Sequence, residues 1–245
     1  PPKLKSGDGV RVVAPSRSLK GEAWINKEIQ KQALGKFENL GLKVSFGKHI
    51  NETNEFGSSS IKSRVEDLHN AFSDSSIKII ITITGGFNSN EILPYLDYSL
   101  IKSNPKILCG FSDITALQNA IYAKTGLVTY SGPHFFSFGE KTGFDYTLEY
   151  FKKCLFENKP FEIKPSEKWS NDHWGKDQEN RKFVKNAGYF VINEGSAEGI
   201  IVGANCVTFH ALSGTPFIPP LKNTILFLED DYEENILNFN RTLIS

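Results

Sequence analysis

Residues 77–86 read Ile-Lys-Ile-Ile-Ile-Thr-Ile-Thr-Gly-Gly, a run of β-branched side chains that ends in two glycines. Such a run is typical of a strand buried on both faces of a parallel sheet. A second short apolar run, residues 106–109, ends at Gly110 in a similar way. The two runs predict neighbouring strands whose carboxyl ends, where ligands bind in open α/β sheets, lie side by side.

Strand and helix patterns alternate on both sides of these runs. Apolar residues at helical spacing predict helices, and short β-branched or alternating runs predict strands. This alternation predicts a parallel sheet with helices on both faces. The predicted helices cover residues 27–40, 60–72, 89–96, 113–124 and 146–156, and the predicted strands cover 10–14, 42–46, 77–84, 106–109 and 127–130.

The pattern changes near residue 164. Residues 164–188 are polar, carry two tryptophans and show little periodicity, which is typical of a long functional loop. Short strands are predicted beyond it at 189–192, 199–202 and 224–228. We therefore expect an α/β domain over 1–163, a linker and substrate loop over 164–188, and part of a smaller β-rich domain over 189–245.

The bulk composition disfavours several classes of partner. Lys plus Arg and Asp plus Glu both number 28, so no net charge attracts nucleic acid or an anionic membrane. The three cysteines lack metal-ligand spacing and fit a reducing compartment. No apolar run is long enough to span a bilayer, and the start of the chain lacks a signal-peptide core. We expect a cytoplasmic protein.

A candidate nucleophile lies in residues 108–115, Leu-Cys-Gly-Phe-Ser-Asp-Ile-Thr. A buried strand runs into Gly-x-Ser and a helix follows at once, so Ser112 would stand at the positive end of that helix. The N–H of Asp113 could then donate to an oxyanion. Ile114 replaces the second glycine of the usual elbow, and the alternative is that Ser112 or Asp113 caps the helix.

Two further strand ends could complete such a site. Gly86 offers a second oxyanion donor, although Gly85-Gly86 could also form an ordinary turn. Glu229 ends an apolar strand and could orient a histidine, whereas the alternative is a solvated acidic turn. Among the five histidines, His134 follows a strand and could line the cleft, possible as a base for Ser112 but unsupported.

The two tryptophans of the long loop are Trp169 and Trp174, in Trp-Ser-Asn-Asp-His-Trp. Flat side chains in a polar loop suggest stacking on a planar ligand or an interface. The alternative is that both cover the core beneath the loop.

Taken together, these motifs resemble the LD-carboxypeptidase family of serine peptidases, and within it the branch of microcin C self-immunity proteins. The matching segments run in family order along nearly the whole chain. They are residues 4–8, 10–16, 85–88, 110–115, 130–134, 177–180, 198–205 and 225–230.

The resemblance implies an N-terminal flavodoxin-like α/β domain and a smaller β-rich C-terminal domain, with the site in the cleft between them. It implies Ser112 as nucleophile, Glu229 as triad acid, and Gly86 and Asp113 as oxyanion hole. It also implies substrate contacts from Trp169, Trp174 and Asn205, no metal or other cofactor, and a homodimer. The implied substrate is a small peptide or an aminoacyl-nucleotide.

The chain departs from the family at the catalytic histidine. In the family this residue lies well after the Glu-Asp motif, and none of the five histidines matches it. We expect it beyond Ser245, in a longer protein. The alternatives to microcin-type detoxification are a muropeptide LD-carboxypeptidase of cell-wall recycling and a non-catalytic binding module. A phosphate-cradling nucleotide site is disfavoured, because neither GxGxxG nor a Walker GK[ST] occurs.

Overall fold

The computed structural model describes residues 1–22, 25–230 and 235–244. Its centre is a five-stranded parallel sheet in the order β2-β1-β3-β4-β5, which is the flavodoxin-like order. The predicted neighbouring strands β3 and β4 are paired, with Ile80 opposite Leu108. The strands are β1 (Gly9–Val13), β2 (Lys43–Phe46), β3 (Ile77–Thr82), β4 (Ile107–Gly110) and β5 (Tyr130–Ser131).

Helices cover both faces of this sheet, as the alternating pattern predicts. Successive residues of β3 point to opposite sides, so Ile79 and Ile81 join one apolar core while Ile80 joins the other. The first core lies under α1 and α5, and the second lies under α2, α3 and α4. These helices are α1 (Lys27–Asn39), α2 (Ile61–Ser73), α3 (Tyr98–Ser103), α4 (Ile114–Thr125) and α5 (Asp145–Phe156).

A smaller sheet follows in the C-terminal part, confirming the predicted α/β architecture. Strands β8 (Ile200–Asn205) and β9 (Thr224–Glu229) are parallel and in register. The short helix α6 (Cys206–His210) follows β8, and α7 (Ile236–Ile244) follows β9. In the long loop, β6 (Lys168–Trp169) pairs with β7 (Val184–Lys185) in an antiparallel hairpin that the sequence pattern did not predict.

The small sheet is attached to α4. Asn119 donates to the carbonyl of Gly203 at 2.8 Å, and the Thr115 hydroxyl accepts from the N–H of Asn205 at 3.1 Å. Thr115 and Asn119 lie on the first two turns of α4. The carboxyl end of β8 is therefore fixed close to the strand-to-helix turn that precedes this helix.

One predicted strand, residues 189–192, is wrong. This segment pairs with no strand of the described residues, and its side chains are exposed, Phe190 by 90%. Apolar composition favours a strand only where a partner strand is available. Within the described residues, no helix is long and apolar enough to cross a membrane.

Candidate active site

Ser112 lies on a strained turn between β4 and α4. Its φ is +59°, a left-handed conformation that non-glycine residues avoid at a cost of about 1–3 kcal/mol. The turn packs tightly, because a Cβ on Gly110 would lie 2.2 Å from the Thr82 hydroxyl oxygen. Strain at this position is the feature expected of a nucleophile elbow.

Asp113 is the residue before α4, but its side chain does not cap that helix. Its carboxylate instead accepts from the Ser16 hydroxyl at 2.5 Å and from the N–H groups of Asn88 and Ser89 at 3.0 and 2.8 Å. The predicted alternative of a side-chain cap by Asp113 is therefore wrong. The carboxylate ties the loops after β1 and β3 to the turn that carries Ser112.

The two glycines after β3 are required by close packing against this turn. A Cβ on Gly85 would lie 3.2 Å from Ser112 Oγ, and one on Gly86 would lie 2.2 Å from Ser16 Oγ. Gly86 also has a φ of +147°. The backbone of the Gly-Gly loop thus packs directly against the turn that carries Ser112, and a side chain at either glycine would disturb this packing.

Sequence analysis missed Arg64, which is buried on α2. Its guanidinium donates to the carbonyls of Pro15 and Asn88, at 3.2 and 2.9 Å, and to Glu91 at 2.6 Å. It therefore fixes the same two loops from the other side. Its burial could have been predicted from the sequence, because Arg64 lies four residues before Leu68, on the buried face of the predicted helix.

His134 is buried beside the turn that carries Ser112. Its ring stacks on Phe111 with centroids 4.1 Å apart, and Nδ1 lies 2.7 Å from the Thr82 hydroxyl oxygen. Burial lowers the pKa of His134 to about 3. A general base works best with a pKa near the operating pH, so this histidine is poorly suited to accept the proton of Ser112.

The two C-terminal candidates meet at the ends of the small sheet. Asn205 on β8 is the register partner of Glu229 on β9, and Glu229 is half-buried. The Asn205 side-chain oxygen accepts from the N–H of Thr208 at 3.0 Å and so caps α6. Because Thr115 on α4 holds the backbone of Asn205, the pair is attached to the helix that begins after Ser112.

The two tryptophans lie in different environments. Trp169 is 46% exposed on β6, whereas Trp174 is partly buried against the core of the α/β domain. Trp174 therefore fits the alternative prediction that the tryptophans cover the core beneath the loop. The segment beyond Trp174 is held by Gln178, which donates to the carbonyl of Gly139 at 3.0 Å, and by the Arg181–Glu140 ion pair at 2.8 Å.

A cavity of about 260 Å³ opens beside the Gly-Gly loop. The N–H of Arg17 donates to the carbonyl of Gly85 at 3.1 Å, and its guanidinium lies 5.3 Å from the centre of the Phe87 ring and 3.0 Å from Glu22. The cavity combines a cation with exposed aromatic rings. It is lined by Arg17, Phe56, Ser58, Phe87, Asn88 and Glu91.

The described residues contain no cluster of three or more His, Cys, Asp or Glu side chains that could hold a metal ion.

The chain is thus an α/β protein whose flavodoxin-like sheet carries a strained serine at a strand-to-helix turn, faced by a glycine pair. Residues 10–132 match the family model of the LD-carboxypeptidase N-terminal domain, and residues 198–245 match that of the C-terminal domain. The chain belongs to the LD-carboxypeptidase family, which confirms the resemblance.

Relatives with similar sequences support this membership. One named as a carboxypeptidase, YocD of Bacillus subtilis (strain 168), is 55% identical over 243 residues, which are 99% of this chain and 74% of the relative. Another protein of the same organism, named as a murein peptide carboxypeptidase, is 32% identical over 237 residues, covering 96% of this chain and 66% of the relative.

Solved structures give the same result. The MccF-like protein from Bacillus anthracis str. Ames superimposes with a TM-score of 0.96 at 53% identity, covering 100% of this chain and 74% of the other. MccF in complex with glutamyl sulfamoyl guanosine gives a TM-score of 0.89 at 32% identity, covering 98% and 73%.

Proposed function

We propose that the protein is a serine hydrolase that cleaves an amide bond in a carboxylate-bearing aminoacyl- or peptidyl-nucleotide, as in the detoxification of microcin C-type compounds. The observation that carries the proposal is the strained Ser112 at the end of β4, in contact range of the Gly-Gly loop. Such strain costs stability and is retained where a side chain must be presented at an active site.

The proposed reaction is acyl transfer. Ser112 Oγ attacks the amide carbonyl while a histidine base, oriented by Glu229, takes the hydroxyl proton. The N–H groups of Gly86 and Asp113 hold the oxyanion, the histidine gives its proton to the leaving nitrogen as the C–N bond breaks, and water then hydrolyses the acyl ester on Ser112. Asp113 has a second task, because its carboxylate fixes the loop that carries Gly86.

Two features support the nucleotide-bearing substrate. A solved relative, MccF, binds glutamyl sulfamoyl guanosine, a carboxylate-bearing aminoacyl-nucleotide analogue. In this chain the indole of Trp169 is exposed and can stack on a nucleobase, whereas the packing of Trp174 allows it to support the loop. We assign Asn205 to the substrate side of the small sheet, beside Glu229.

We assign recognition of the free carboxylate to Arg17. Its guanidinium lines the cavity beside the Gly-Gly loop, and its backbone N–H donates a hydrogen bond to the carbonyl of Gly85. A carboxylate bound by this guanidinium would therefore lie near the proposed oxyanion hole. Arg17→Ala is expected to raise KM about tenfold for a substrate with a free carboxylate, one charge-assisted hydrogen bond being lost. For the same substrate with that carboxylate amidated, Arg17→Ala should leave KM nearly unchanged.

The deciding experiment is hydrolysis of glutamyl sulfamoyl adenosine and of a muropeptide tetrapeptide by the full-length protein, followed by mass spectrometry. Ser112→Ala should abolish turnover, and the exposed Ser103→Ala is the matched control. Unchanged turnover in Ser112→Ala rejects the proposal.

The same assay separates the alternative functions. Preference for the tetrapeptide favours a cell-wall recycling carboxypeptidase, which the relative named as a murein peptide carboxypeptidase supports. Binding without turnover in the wild type favours a binding module. The homodimer and the cytoplasmic location stay predictions.

A further inference from the structure

Nε2 of His134 has no hydrogen-bond partner among the described residues, although the side chain is buried. Buried polar atoms are paired in the great majority of cases, so an unpaired one points to a group that engages it in another state. Nε2 lies 3.6 Å from the point where a Cβ on Gly85 would stand, and Ser112 Oγ lies 3.2 Å from the same point. The unpaired nitrogen and Ser112 Oγ therefore both lie next to the backbone of Gly85.

The hydrogen bond at the opposite nitrogen decides where the ring proton lies. Thr82 ends β3, and its hydroxyl is 2.7 Å from Nδ1 of His134. No other acceptor for this hydroxyl is recorded within the described part of the chain. A buried hydroxyl donates where it can, which favours donation from Thr82 to Nδ1 and a ring proton on Nε2. The imidazole then presents an N–H donor beside Ser112.

The surroundings hold the ring in this orientation. It stacks on Phe111, the residue before Ser112, and the N–H of Phe135 donates to the carbonyl of Thr82 at 2.9 Å. The ring is thus bound to β3 on one side and to the nucleophile turn on the other. Rotation would break both the stacking and the Thr82 hydrogen bond.

We propose that His134 is a positioning residue for the nucleophile, whose neutral Nε2–H donates a hydrogen bond to Ser112 Oγ as the hydroxyl proton is withdrawn. The inference rests on the proposed function of Ser112. His134 keeps its own proton throughout, and the proton of Ser112 goes to the general base. The hydrogen bond directs Oγ toward the carbonyl and stabilises the negative charge that develops on the oxygen.

Three substitutions of His134 separate this role from packing. Glutamine places an amide N–H near the position of Nε2, asparagine reaches only the position of Nδ1, and phenylalanine keeps the stacking on Phe111 without a donor. The measurement is the rate at which a fluorophosphonate modifies Ser112 of the full-length protein, with loss of fluoride, quantified by mass spectrometry. His134→Gln should stay within about threefold of wild type, whereas His134→Asn and His134→Phe should each be at least about tenfold slower.

The outcomes distinguish this inference from the proposed function. If the fluorophosphonate modifies Ser112 equally fast in the wild type and in folded His134→Phe, the positioning role is wrong while the nucleophile stands. Equal slowing in all three variants also overturns it, since glutamine keeps the donor. No modification of Ser112 in the wild type rejects the proposed function itself.

A second measurement needs neither activity nor a variant. A long-range ¹H–¹⁵N correlation spectrum of the intact protein distinguishes the two neutral tautomers of a histidine. The expected result is the Nε2–H form for His134, which Ser112→Ala leaves in place. A proton on Nδ1 overturns the proposal, because Nε2 would then be an acceptor and could not donate to Ser112.

Discussion

The hydroxyl of Ser16 donates to the carboxylate of Asp113 over 2.5 Å, although the two residues are 97 positions apart in the chain. The same carboxylate accepts from the N–H groups of Asn88 and Ser89. One buried side chain thereby fixes three segments that surround the proposed nucleophile. Its removal is expected to affect both stability and activity.

Asp113→Ala should lower the free energy of unfolding by about 3 kcal/mol, because the three donors lose a charged acceptor. Urea denaturation measures this. The control is Asp97→Ala, which removes the exposed N-cap of α3 and should cost about 1 kcal/mol. Equal losses in the two variants would show that the buried Asp113 carboxylate contributes no more to the free energy of unfolding than the exposed cap does.

Ser112→Gly should raise the free energy of unfolding by about 1 kcal/mol while abolishing turnover. Glycine adopts a φ of +59° without the steric cost that a side chain carries. Ser112→Ala is the matched variant, since it removes the hydroxyl but keeps the strain, and it should be inactive with nearly unchanged stability. Thermal melts compare the two, and a glycine variant less stable than the alanine variant contradicts strain at this turn.

Gly86→Ala should be destabilised by more than about 2 kcal/mol and should lose turnover. An alanine there combines a positive φ with a Cβ 2.2 Å from Ser16 Oγ, which Asp113 holds in place. Gly126→Ala is the control, because its φ is +73° but no heavy atom lies within 4 Å of the added Cβ. It should lose about 1 kcal/mol and keep its activity. Similar losses would argue against close packing at Gly86.

The free energy of unfolding should depend on pH because His134 is buried. Its pKa falls from 6.5 to about 3 on folding, because burial disfavours the charged imidazolium. The unfolded chain therefore binds more protons between these values, and the free energy of unfolding decreases as the pH falls from 6.5 toward 3. His134→Gln, which cannot titrate, should show a smaller decrease over that range. Parallel curves for the two proteins would mean that this histidine is not held neutral.

Arg181→Ala should release the loop that carries Trp169. The Arg181–Glu140 pair is largely buried. Burial raises the pKa of Glu140 above its usual value, although the hydrogen bond and the charge of Arg181 act in the opposite direction. Loss of the arginine leaves a buried carboxylate, at a cost of about 3 kcal/mol. Amide exchange in residues 164–188 should accelerate. Lys153→Ala, which removes an exposed pair with Glu149 on α5, is the control and should leave exchange unchanged.

The sequence by itself determined the fold class, the order of the first strands and helices, and the adjacency of the strands ending near Gly86 and Gly110. These features follow from local burial, because a strand covered on both faces needs an uninterrupted apolar run and a buried helix face needs its spacing. Ser112 could also be singled out locally, as a residue between such a strand and a helix.

Only the tertiary structure decided the direction of the Asp113 carboxylate, the hydrogen-bond partners of Arg64, the different burial of Trp169 and Trp174, and the environment of His134. Each depends on partners far away in sequence, so no local pattern encodes it. The physical reason is that the hydrogen bonds and the desolvation of a group are set by the atoms that surround it once the chain has folded. The sequence shows the same residue type whether the side chain becomes exposed or buried.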